Sequence, residues 1–159
     1  MSGSQFGKRP ILKIASGALA LAALLGLTGC SPESRIAARI VDSQLVFALC
    51  EPIVAQQVQV LVRAPGNDEA EPPTYWRVTG NGSFEASDQV TYGVSPEGFD
   101  EVTEPTSLPT DESRILFYVD RLDSNGDFLS GVSANLVAED LSEDYWLHEG
   151  GSRTDEPCD

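Results

Sequence analysis

Ile115, Phe117 and Val119 alternate with Leu116, Tyr118 and Asp120. An apolar period of two buries one side of an extended strand and has no stable solution as a helix. Val58, Val60 and Val62 repeat the pattern against Gln57, Gln59, Leu61 and Arg63 within residues 54–63. Residues 45–49 are an apolar run of strand length, and 75–79, 83–86, 89–92, 128–129, 132–137 and 145–148 are further short candidates. Residues 35–41 read equally as a short helix or a strand. Gly80-Asn81-Gly82 and Asn125-Gly126 lie between strand-like runs and predict hairpin turns. Residues 64–73 read as a loop around Pro65-Gly66-Asn67-Asp68, and residues 93–113 as a loop longer than a passive connection needs. No long amphipathic helix follows residue 30. Seven or eight short strands separated by turn chemistry predict an all-β fold, a single antiparallel β-sandwich. Immunoglobulin-like architecture is the first expectation and a small barrel the second.

The first thirty residues have a different logic. Lys8, Arg9 and Lys13 are followed by residues 14–27, fourteen positions without a charge. As a helix these would span roughly 21 Å, short of the hydrocarbon core of about 30 Å. A basic start, an apolar middle and a small-residue cut site make a secretory signal. The cut site Leu27-Thr28-Gly29-Cys30 resembles that of bacterial lipoproteins. The resemblance implies cleavage before Cys30 and a covalent diacylglyceryl or acyl lipid, palmitate among its acyl groups, on that cysteine. Two acyl chains suffice for stable anchoring. The expected organisation is a signal peptide at 1–29, a lipidated tether at 30–35 and a sandwich domain at 36–159. The expected location is the extracytoplasmic face of a cell membrane, held by the lipid anchor. In an envelope with an outer membrane, Ser31 would direct such a protein there. All seven basic residues after Cys30 are arginine, a bias that fits a GC-rich genome and a small actinobacterial cell-surface lipoprotein.

The chain has 10 basic and 25 acidic residues. No acid precedes Cys30, so the part from Cys30 onward sets seven arginines against 25 acids, a charge of −18. Such a surface repels nucleic acid and anionic headgroups and favours cations and basic partners. With Cys30 assigned to lipid, Cys50 and Cys158 remain, and an even pair in an exported chain reads as a disulfide. Free thiols or a metal pair are the alternatives. Two cysteines and one distant histidine make a poor zinc site.

The remaining candidates are weak. Asp123, Asn125 and Asp127 have the one-three-five spacing of a calcium loop, but Phe128 stands where that loop needs glycine and Ala134 where it needs glutamate. A polar hairpin turn explains them as well. Glu139-Asp140 and Glu143-Asp144 are paired carboxylates in an expected surface loop, where water leaves both ionised. His148, the sole histidine, reads as a partly exposed strand-end residue, and no serine sits in a Gly-x-Ser-x-Gly elbow. There is no glycine-rich phosphate loop. Tyr75-Trp76 and Tyr145-Trp146 place adjacent rings on opposite faces of a strand. Tyr75, Tyr92 and Trp146 are the candidate binding surface. The expectation is a non-enzymatic protein-interaction or envelope-accessory module without a cofactor, acting through an envelope protein partner and not through nucleic acid. The alternatives are a calcium or glycan binder and an enzyme of unrecognised class.

Overall fold

A computed structural model describes residues 35–158. The signal segment, Cys30 and all of the tether but Arg35 lie outside the described residues, as does Asp159. Ten strands follow one another: β1 (Ile36–Val41), β2 (Gln44–Leu49), β3 (Ile53–Arg63), β4 (Thr74–Phe84), β5 (Gln89–Thr91), β6 (Phe99–Thr103), β7 (Arg114–Leu122), β8 (Phe128–Val137), β9 (Trp146–His148) and β10 (Arg153–Thr154). The one helical element among the described residues is a 3-10 turn at Ala138–Asp140. The strands form two five-stranded antiparallel sheets, ordered β10-β9-β1-β2-β5 and β6-β4-β3-β7-β8. Each sheet keeps its own edges, so the architecture is a sandwich and not a closed barrel.

The core lies between the sheets. Ile36, Ala38, Leu45, Phe47 and Leu49 meet Val58, Val60, Trp76, Val78, Ile115, Phe117 and Val119. These are the alternate positions of each strand, as a period of two requires. At the centre the rings of Phe47 and Phe117 stack with centroids 3.9 Å apart and planes within 7°. Segment 35–41, ambiguous by pattern, becomes strand β1 because it pairs with β2 along its whole length and with β9 on its other side.

The Gly80-Asn81-Gly82 hairpin is not there. β4 runs straight through these residues, and two of them, Gly80 and Asn81, stand opposite the single residue Gln56 in a β-bulge. The glycines serve close approach instead of a turn. A Cβ on Gly80 would collide with the Gly98 carbonyl, and one on Gly82 would meet the Phe99 ring at 2.5 Å. Asn81 N–H donates to the Gly98 carbonyl at 3.1 Å. The strand that comes so near is β6, inside the segment read as a loop. Of its five residues only Phe99 is buried, so it carries no alternating apolar signal. β8 is likewise one continuous strand where two were expected, and Asn125-Gly126 does make the turn before it.

Beyond His148 the chain does not trail away. Gly150 and Gly151, both near φ +86°, reverse it into β10, which pairs with β9. Residues 155–158 then run to Cys50 as a strap. Cys50 and Cys158 are at disulfide distance, with Cα atoms 5.2 Å apart and a sequence separation of 108. Cys50 N–H also donates to the Arg35 carbonyl at 2.8 Å, so the first and last described residues meet at one corner.

Candidate functional site

The strap and the outer face of the first sheet explain where Trp146 goes. Ala37, Val46, Ala48 and Trp146 form a second buried cluster on the side of that sheet away from the main core. Trp146 is 4% exposed, so it is not the surface ring expected from the sequence. Asp155, Glu156, Pro157 and Cys158 line the same groove as Trp146 and Arg39. The Arg39 guanidinium lies over the indole, 5.2 Å from its centroid. Sequence periodicity cannot show that the outer face of β1 and β2 is covered by a segment roughly a hundred residues further along the chain.

Tyr92 and Tyr75 are also partly withdrawn, both packing against the core. The Tyr92 hydroxyl donates to the Thr106 carbonyl at 2.5 Å and accepts the Thr106 N–H at 3.0 Å. Burial pushes its pKa up. The ring is therefore a clamp on residues 93–113 more than a recognition group. That segment is further held by β6 and by the Glu139 N–H, which donates to the Asp111 carbonyl. Between clamp, β1–β2 turn and 3-10 turn lies a cleft of about 480 Å³, with Ile40, Leu45, Leu108, Ile115 and Leu141 as apolar lining and Ser43, Gln44, Thr110 and Glu139 as polar lining.

At the β7–β8 turn the calcium-like spacing resolves into turn chemistry. Asp123 Oδ1 accepts the N–H groups of Asn125 at 2.8 Å and Asp127 at 3.0 Å, and Asp123 Oδ2 accepts from Asn125 Nδ2. These bonds hold the Asp123 carboxyl below its ordinary pKa. The carboxylate satisfies backbone donors of its own turn, the familiar use of aspartate in such a position. Among the described residues no three His, Cys, Asp or Glu side chains converge as metal ligands.

His148 is buried, 3% exposed, and not the partly exposed residue expected from its place at a strand end. The β10 hairpin covers it. The Thr154 hydroxyl donates to the Glu156 carbonyl, so its oxygen accepts from His148 Nε2, 2.8 Å away. The ring is thus the Nε2–H tautomer, and Nδ1 is buried without a partner. Burial lowers its pKa from 6.5. Protonation favours the unfolded chain, so the stability contributed by neutral His148 is complete above pH 6.5 and is lost as pH falls from there through the lower folded value. As the chain has one histidine, melting measured from pH 6.5 downward should report it. We expect Tm to fall as the pH drops below 6.5, and His148→Gln to flatten the fall; an unchanged slope in the variant would reject the assignment.

Asp120, which alternation alone would place in water, is 4% exposed on the outer face of the second sheet. Its Oδ2 accepts from Gln59 Nε2 at 3.2 Å and Gln57 Nε2 at 3.4 Å, and burial raises its pKa against the lowering effect of those bonds. Nearby, Phe128 is 67% and Leu129 is 54% exposed. The sequence holds each of these residues but gives no sign of their juxtaposition, which depends on the register of β3, β7 and β8. No protein family, curated protein or solved structure matches this chain.

Proposed function

We propose that this chain is a membrane-tethered extracytoplasmic lipoprotein whose sandwich is a non-enzymatic protein-interaction or envelope-accessory module. The observation that carries the reading is the β8 edge, which pairs on one side only, with β7, among the described residues. A strand edge is a ready template for another strand, and folded proteins blunt such edges by shortness, charge or proline. β5 and β10 are only three and two residues long, and β6 carries Asp100 and Glu101. β8 has ten residues, no charge and no proline, and starts with the exposed Phe128 and Leu129. It is the last strand of its sheet. A partner segment that adds here gains backbone hydrogen bonds and two apolar contacts. The surrounding acidity steers basic partners toward it. The anchor at Cys30 rests on the lipoprotein-like cut site.

The test uses the full chain on intact cells. A photoreactive residue at Ser130 should crosslink one dominant protein. Leu129→Lys should abolish that product without moving Tm by more than a degree or two, since the side chain is exposed. Cys30→Ala should release the protein from the membrane fraction and lower the yield. No product at Ser130 from membrane-bound wild type would reject the reading. The second reading, small-ligand binding, is favoured by the 480 Å³ cleft between the sheets.

A further inference from the structure

The hollow on the outer face of the second sheet has a defined chemistry. Register puts Gln57, Asp120 and Gly131 in one row across β3, β7 and β8, and Gln59, Tyr118 and Ser133 in the next. Gly131 leaves a gap in the row. A Cβ there would lie 2.8 Å from Asp120 Oδ1 and collide with the Val119 carbonyl, so only glycine lets the carboxylate lie down against the sheet. Asp120, Gln57 and Gln59 line a hollow of about 440 Å³ together with Tyr118, Leu122 and the exposed Phe128.

The carboxylate at its floor lacks a counter-charge. Its hydrogen-bond donors are two neutral amides. The ion pairs among the described residues are Arg35–Glu51 and Arg153–Asp140, and neither involves Asp120. A buried carboxylate without a cation is costly to maintain. The cost is recovered when a cation enters.

We propose that this hollow is a binding pocket for an organic monocation, the guanidinium or ammonium head of an arginine or lysine side chain on the partner protein. The assignment rests on the interaction-module reading and names what that partner must present beside β8. Asp120 supplies the counter-charge. Tyr118 and Phe128 supply ring faces of the kind that attract cations. Gln57 and Gln59 donate through nitrogen and keep oxygen atoms as acceptors for N–H groups. A hard divalent cation is a poorer fit, because calcium takes six to eight oxygens at once, several of them usually carboxylate, and no cluster of three acidic, histidine or cysteine side chains occurs here.

The experiment titrates the isotopically labelled full chain in detergent micelles with three probes: N-acetylarginine methylamide, N-acetyllysine methylamide and the neutral N-acetylcitrulline methylamide. The side-chain amides of Gln57 and Gln59 and the backbone amide of Gly131 are followed by NMR. The arginine or lysine probe should give saturable shifts there, at least about ten-fold tighter than citrulline. Asp120→Asn should abolish them, and Phe128→Ala, which removes an exposed ring and leaves the fold intact, should weaken binding by about two- to five-fold. Equal binding of citrulline, full binding by Asp120→Asn, or shifts produced by calcium and not by the cationic probes would overturn the pocket. The two readings can fail separately. If Asp120→Asn still captures the Ser130-crosslinked partner, the pocket is wrong and the interaction module stands. If the probes bind through Asp120 but Ser130 captures nothing, the partner side chain is wrong and the module reading falls with it.

Discussion

Cys158→Ser is expected to destabilise the sandwich by roughly 4.7 kcal/mol, the chain-entropy value for a loop of about a hundred residues. The loop closed by Cys50 and Cys158 spans 108 residues, nearly the whole described chain. Domains of this kind are stable by about 5–15 kcal/mol, so the loss removes a third or more of the total. The effect should also have a place. Without the bond, residues 155–158 no longer hold down the groove over Trp146 and Arg39. Ala37, Val46 and Ala48 beneath would meet water as well. Urea unfolding of wild type, wild type with reductant and the variant would measure it, with tryptophan emission as the probe. The variant and the reduced wild type should have matching, lowered midpoints. A variant within about 1 kcal/mol of wild type would mean that β10 and the strap hold without the covalent link.

Phe117→Ala is expected to cost about 3–5 kcal/mol, the range for deleting a buried aromatic side chain. Phe117 is fully buried and is one of few large side chains at the centre of the interface. Its loss leaves Phe47, on the opposite sheet, facing a void in place of a ring 3.9 Å away. The stacked pair contributes about 0.5–1.5 kcal/mol beyond the area it buries, and the cavity term adds to that. Phe117→Leu keeps most of the volume and should cost less than half as much. Phe128→Ala is the control: its ring is exposed, and the change should stay within about 0.5 kcal/mol. If the two alanine variants melted together, the stacked pair would not be the centre of the fold.

The parts of this fold that could be read from the chain are those with a local cause. β3 and β7 announce themselves because Val58, Val60 and Val62, and Ile115, Phe117 and Val119, each bury one face. The pairing of Cys50 with Cys158 is the expectation once Cys30 is set aside for lipid, and the two lie at disulfide distance. What escaped reading has a cause elsewhere in the chain. Gly80 and Gly82 look like a turn, but their lack of side chains answers the approach of β6, itself unreadable because Asp100, Glu101 and Val102 face water. Trp146 is buried by a strap and His148 by the β10 hairpin, both drawn back toward the sheet at the end of the sequence. Asp120 occupies an outward position by alternation and is nonetheless buried, because Gln57, Gln59 and Gly131 surround it only once three strands are in register. The candidate site is therefore a property of the sheet and not of any one segment.

The meeting of Arg35, Cys50 and Cys158 at one corner has a topological meaning. The sandwich is nearly a ring with a single cut in it. Ends that lie so close are those at which circular permutation succeeds. A short peptide bridging this corner, with new ends opened at the exposed Asn125-Gly126 turn, would reorder the sequence and leave every strand pairing in place. The chain would then begin and end at the tip of the β7–β8 hairpin, beside the start of β3, where Gln57 pairs with Asp120.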